Sequence, residues 1–134
     1  MDKGAAVRSF RDLRVWKAAM DLVEQVYLLT QTFPKHELYG LAGQMQRAAV
    51  SIPSNIAEGH TRAYSKEYLH HLSIARASLA ELQTQLEIAL RLKYYPPEKM
   101  SQLIDQADSL GRQMSSLWNA LTKNTNPQPP IPNP

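Results

Sequence analysis

The sequence predicts an all-α fold, an up-down-up-down antiparallel four-helix bundle, from three observations. Apolar residues recur at three- and four-residue steps through most of the chain, which is the period of a helix with one buried face. Neither an alternating strand pattern nor an Asn-Gly or Asp-Gly hairpin signal occurs. The helical stretches are separated only by short breaks around Phe33-Pro34, His60-Thr61 and Tyr94-Tyr95-Pro96-Pro97, and short connections between long amphipathic helices favour antiparallel neighbours. A chain of 134 residues suffices for one domain with a real core.

The first helix is expected from Phe10 to Thr32, ending before Phe33-Pro34 because proline disfavours helix in the residue before it. It carries two apolar seams. The expected inner one is Leu13, Trp16, Met20, Val23, Tyr27 and Thr30; a second one, Val15, Ala19, Leu22, Val26, Leu29 and Phe33, lies about 110° away around the helix. A helix with two seams can touch neighbours on two sides, within one bundle or between copies. The second helix is expected from Glu37 to His60, with Gly59 as its stop. Its apolar side is Leu38, Leu41, Met45, Ala49, Ile52 and Ile56. The third opens near Ser65, a cap residue, and runs to Lys93 on the seam Tyr68, Leu72, Ala75, Leu79, Leu82, Leu86 and Ala89. The fourth opens at Pro97-Glu98, with proline and an acid suited to a first turn, on the seam Met100, Leu103, Ala107, Leu110, Met114, Leu117 and Leu121. Residues 10–123 are thus the bundle domain and residues 1–9 a basic N-terminal extension. Residues 124–134, with five prolines and almost no apolar surface, are expected to be a disordered tail.

The net charge of +3 resides wholly at the N-terminus: Lys3, Arg8, Arg11, Arg14 and Lys17 face only Asp2 and Asp12, and the remainder of the chain is balanced. An oligomer would multiply that local field. No apolar run of membrane-spanning length and no leader-like segment is present, so a soluble cytoplasmic protein is expected, with no membrane partner. Cysteine is absent, which excludes disulfides, thiolate chemistry and cysteine zinc sites. Glu67 and His70 have the spacing used in di-metal bundles, but only one such pair exists and it points away from the leucine seam. Adjacent His70 and His71 diverge by about 100°. His36 and His60 fall at helix ends, where capping is the plain role. With no glycine-rich phosphate loop and no serine elbow, neither catalytic residues, a metal site nor a cofactor is expected, and the chain does not read as an enzyme.

The most informative stretch is Gln44 to Gly59. Opposite the apolar side of this helix lie Gln44, Arg47, Ser51, Ser54, Asn55, Glu58 and Arg62. Serine and asparagine are poor helix formers, and Pro53 removes a backbone bond to Ala49, so something must offset these costs. Three readings of the face are open. Glu58 could pair with Arg62 on a solvated surface, which leaves Pro53 without an account. The small polar residues could hydrogen-bond within a subunit interface. Arg47, Arg62, Lys66 and His70, with Tyr64 and Tyr68 nearby, could form a nucleic-acid surface of cations and stacking rings.

The chain resembles the four-helix-bundle proteins encoded within intervening sequences of bacterial 23S ribosomal RNA genes, a family related to the accessory proteins of diversity-generating retroelements. The resemblance covers about residues 10–121. It rests on Phe10-Arg11-Asp12-Leu13 with Val15-Trp16-Lys17, and on Phe33-Pro34 with Glu37-Leu38-Tyr39-Gly40-Leu41. To these add Gln44, Arg47-Ala48-Ala49-Val50-Ser51-Ile52-Pro53 and Asn55-Ile56-Ala57-Glu58-Gly59 with Arg62. The last marks are Ile74-Ala75-Arg76-Ala77-Ser78-Leu79 and Glu81-Leu82. The resemblance implies a homo-oligomeric ring, typically a pentamer, without known catalytic activity and associated with RNA or DNA. The retroelement relatives dock on a reverse transcriptase and carry a positively charged surface; the net charge here is lower, and the motif block is closer to the intervening-sequence branch. The expected function is therefore a non-enzymatic, RNA-associated scaffold, with a protein-binding adaptor for a reverse transcriptase as the competing class. The expected phosphate contacts are Arg8, Arg11, Arg14, Lys17, Arg62 and Lys66. The expected motif face or interface is Arg47, Ser51, Pro53, Asn55, Glu58 and Arg62.

Overall fold

The computed structural model describes residues 7–124; the first part of the basic extension and the proline-rich tail lie outside the described residues. Four α-helices form the bundle: α1 (Arg14–Thr30), α2 (Leu41–His60), α3 (Ser65–Arg91) and α4 (Pro97–Asn124). Each packs on the next and α4 closes on α1, the most extensive contact being between α2 and α3. Antiparallel order is visible in the cross-links. Gln46 near the start of α2 donates to Thr30 at the end of α1, and Gln83 of α3 donates to Asp108 of α4. No strand occurs among the described residues.

The first helix is shorter than the sequence suggests. Phe10–Asp12 form a single 3₁₀ turn, and Leu13 breaks it from α1 by adopting an extended conformation (φ −74°, ψ 129°). A local capping box favours this break. Ser9 Oγ accepts from the Arg11 amide, while Asp12 Oδ2 accepts from the amides of Arg8 at 2.9 Å and Ser9 at 3.2 Å. These bonds hold the Asp12 carboxyl below its ordinary range.

The core corrects the expected inner seam of α1. Val15, Ala19, Leu22, Val26, Leu29 and Phe33 are buried, whereas Met20 and Tyr27 of the other seam remain 39% and 40% exposed. Trp16 and Val23 pack on the core only in part. The inward set is, Phe33 apart, made of compact aliphatic side chains that fit against α2 and α4. The outer set has larger and amphipathic rings that tolerate a half-wet position. The α3 and α4 seams are buried as expected except at their ends: Tyr68 is half-buried, with Leu69 buried beside it, and Leu117 and Leu121 are half-buried. Each large core side chain contributes about 1.5–3 kcal/mol relative to exposure.

The second helix begins later than expected. Lys35–Glu37 form a 3₁₀ turn, leaving Leu38 56% exposed ahead of α2. Glu37 instead caps α2 from outside: one carboxylate oxygen accepts from the Leu41 amide and the other from the Tyr94 hydroxyl, each at 3.0 Å. Tyr94 also lies against Phe33, with ring centroids 5.0 Å apart. The α1–α2 and α3–α4 connections are thereby tied at one end of the bundle. The amide and the hydroxyl hold the Glu37 carboxyl below its ordinary range, and Glu37 in turn raises the Tyr94 hydroxyl. Because the folded carboxyl is depressed, its contribution to stability is full above the unfolded value and is lost as pH falls through the folded one. The melting temperature of Glu37→Gln should therefore fall less steeply than that of the parent below about pH 4.5, and parallel acid branches would contradict the assignment.

A Schellman motif ends α3. The Tyr94 amide donates to Ala89 and the Lys93 amide to Leu90, both at 3.1 Å, which forces Lys93 to φ 59°. Lys93→Gly should therefore raise stability by about 0.5–1 kcal/mol in urea unfolding; an unchanged or lowered midpoint would contradict it. Pro97 then starts α4 at the first helical position, where its missing N–H costs nothing.

Candidate functional site

The polar residues of α2 are dispersed over several surroundings, and the most ordered of them face α3. Ser51 Oγ lies 2.8 Å from Ser78 Oγ on α3. Asn55 Nδ2 donates to the Ser51 carbonyl at 2.9 Å and to Ser51 Oγ at 3.1 Å. That orientation leaves Asn55 Oδ1 as the acceptor facing His71 Nδ1 at 3.2 Å, so in neutral His71 the proton sits on Nδ1. Glu58 approaches the same nitrogen at 3.6 Å. The chain Ser78, Ser51, Asn55, His71, Glu58 thus runs along the α2–α3 seam. These bonds, within α2 and across to α3, give the Ser51 and Asn55 side chains partners within the chain.

Glu58 meets His71 and not Arg62. The reason is that α2 ends at His60 and Arg62 lies in the following turn, off the helical spacing that would align the two. The end of α2 falls where expected, but Gly59 has a different task from stopping it. A Cβ on Gly59 would lie 2.9 Å from Tyr68 Cδ1, 3.0 Å from His71 Cβ and 3.2 Å from the Tyr68 carbonyl oxygen. Only a glycine allows α3 to cross α2 this closely. Beside it, Tyr68 stands edge-on to His60 with centroids 5.8 Å apart. The Tyr68 hydroxyl is buried without a partner among the described residues, and burial pushes it up to about 12, so it remains neutral at physiological pH.

The other motif residues go elsewhere. Pro53 is buried and looks towards α1, where Trp16, Met20, Val23, Val50, Ser54 and Ala57 line an apolar groove beside it. Arg47 is exposed and folds back over Gly43, whose Cβ position lies 3.3 Å from Arg47 Nη1. The face therefore divides into an α3-facing network, an α1-facing proline and an exposed arginine. His71, Ser78 and buried Gln85 on α3 were not singled out as a polar stripe in the sequence. Their seven-residue spacing, one position behind Leu72, Leu79 and Leu86, is the signal that could have found them.

All six expected phosphate contacts are exposed: Arg8, Arg11, Arg14, Lys17, Arg62 and Lys66. Antiparallel order brings them to one end of the bundle. The 3₁₀ turn and the start of α1 stand level with the end of α2, against which that turn packs. Arg11 stacks on Phe10 with Cζ 4.6 Å from the ring centroid, and Phe10 in turn meets Trp16 edge-on at 5.3 Å. Arg14 and Lys17 flank a groove between α1 and α4, which Asp21, Gln113 and Ser116 also line. His70 and Glu67 are exposed, and no group of three acidic or histidine side chains able to hold a metal occurs among the described residues. No helix among them is long and apolar enough to cross a membrane.

Comparison with known proteins gives one family and one fold. The model of a family described as 23S rRNA-intervening sequence protein matches residues 11–116. Among solved structures, a protein of unknown function from the S23 ribosomal protein family of Bacteroides thetaiotaomicron superposes with a TM-score of 0.72 at 18% identity, over 78% of this chain and 97% of that one. At that identity the likeness speaks for the fold. No curated protein matches the chain.

Proposed function

Because the chain belongs to the 23S rRNA-intervening sequence protein family, we propose that it acts without catalysis, as an oligomeric scaffold that binds RNA through the basic end of the bundle. The observation that carries this reading is the gathering of Arg8, Arg11, Arg14, Lys17, Arg62 and Lys66, all exposed, at one end. Phosphate backbones bind such fields through release of counterions, without need of a shaped pocket. Assembly into a ring, a homopentamer as in the resemblance above, would place several such ends side by side. The half-exposed outer seam of α1, with the groove beside Pro53, supplies an apolar face for contact between copies. The site of action in this reading is the cytoplasm, with no membrane partner and no cofactor.

Fluorescence anisotropy of labelled single-stranded and duplex RNA with the purified protein at low salt tests the proposal. Saturable binding by the protein alone is expected. If neither RNA nor duplex DNA binds, direct contact is refuted and the chain is an adaptor reaching nucleic acid through a partner such as a reverse transcriptase. Light scattering tests the assembly, and a monomer at micromolar concentration would contradict the ring.

A further inference from the structure

We propose that the groove between α3 and α4 around Arg76 and Arg112 is a phosphate-binding site, separate from the basic end and not resting on it. Arg76 Nη1 is buried and has no hydrogen-bond acceptor among the described residues. A guanidinium cannot shed its charge, so a buried N–H of this kind is costly, and a small rotation of the side chain into the groove it lines would let an acceptor from outside the chain satisfy it. Neither Arg76 nor Arg112 makes an ion pair among the described residues. Both line the same open groove of about 430 Å³, with Leu79, Gln83, Asp108, Gly111 and Ser115.

The geometry separates Asp108 from Arg76 within that groove. Arg76 lies over Trp118, its Cζ 4.9 Å from the ring centroid, which restrains the guanidinium beside the groove. Antiparallel packing sets Ser115 and Trp118 beside Arg76, whereas Asp108 sits at the other end, where Gln83 Nε2 donates to it at 2.9 Å. Asp108 and Ser115 are about 10 Å apart along α4, so the acid is distant from Arg76; it stands one turn before Arg112 but is engaged by Gln83. Gly111, between them, adds no side chain to the floor. A restrained fork, a second guanidinium and a hydroxyl around an open space fit a tetrahedral oxyanion. The ligand is a phosphate group, whether inorganic phosphate or a nucleic-acid phosphate.

Titration with inorganic phosphate at constant ionic strength, against chloride, tests the site by Trp118 fluorescence in a Trp16→Phe background, since the chain has two tryptophans. A saturable change is expected for phosphate alone. Arg112→Gln, at an exposed position, should weaken it about tenfold, and Asp108→Asn should tighten it. Arg76→Lys should weaken it at least as much as Arg112→Gln, because lysine cannot reproduce the planar fork. A second arm uses a short RNA lacking terminal phosphates. If it competes with inorganic phosphate, the site takes backbone phosphodiesters; if it does not, the site takes the free ion or a terminal phosphate. No response beyond that of chloride, or an unchanged affinity in both Arg112→Gln and Asp108→Asn, overturns the proposal. So does a phosphate-blind protein whose Arg76→Lys variant loses assembly, which would make the missing acceptor a carboxylate of a second copy.

Discussion

Replacing Gly59 by valine is expected to lower stability by about 2–3 kcal/mol, read as a fall in the urea midpoint at unchanged m-value. In most exposed helical positions the loss of a glycine is favourable by about 0.5–1 kcal/mol. Here the sign reverses, because a Cβ would meet the backbone of α3 as well as a ring edge. Tyr68 Cδ1 at 2.9 Å could move aside, but His71 Cβ at 3.0 Å and the Tyr68 carbonyl at 3.2 Å move only with α3 itself. Shifting α3 outward would stretch the Asn55–His71 bond and the Ser51–Ser78 pair together. Gly59→Ala should show the same sign at smaller size. A stabilised alanine variant would mean that the helices stand further apart at this crossing.

Asn55→Ala is expected to cost about 2 kcal/mol, since its side chain makes three hydrogen bonds, two to Ser51 within α2 and one across to His71 on α3, and each net bond contributes about 0.5–1.5 kcal/mol. The loss should be shared with its partner. In a double-mutant cycle, Asn55→Ala and His71→Ala should couple by at least about 0.5 kcal/mol. A nucleic-acid contact would behave differently: Asn55→Ala would then weaken RNA binding and leave unfolding unchanged. Urea titration and RNA anisotropy on the same variant separate the two roles.

The four helices and three of their seams were legible in the sequence because leucine, isoleucine and methionine at three-four spacing have one economical place to go. The α1 seam was not, since two apolar stripes about 110° apart carry the same periodic signal and only the packing of α2 and α4 chooses between them. The start of α2 was misplaced for a similar reason. Glu37 has good helical credentials locally, yet its partner Tyr94 lies 57 residues away in the chain. Likewise the polar face of α2 was visible as an anomaly, while its partners Ser78 and His71, 27 and 16 residues distant, were not. The exposed cations needed no tertiary knowledge, because arginine and lysine on a polar face seldom leave the surface. Their convergence with Arg62 and Lys66 follows from antiparallel order alone.

The most direct measurement is the salt dependence of RNA affinity for the parent chain and for a variant with Arg11, Arg14 and Lys17 all changed to glutamine. The parent should lose affinity linearly on log-log axes, with a slope of about −0.7 to −0.9 for each phosphate contacted, and the variant should bind more weakly with a slope shallower by about 2–3. Equal slopes for the two proteins, or no binding by the parent at low salt, would contradict RNA binding through the basic end of the bundle.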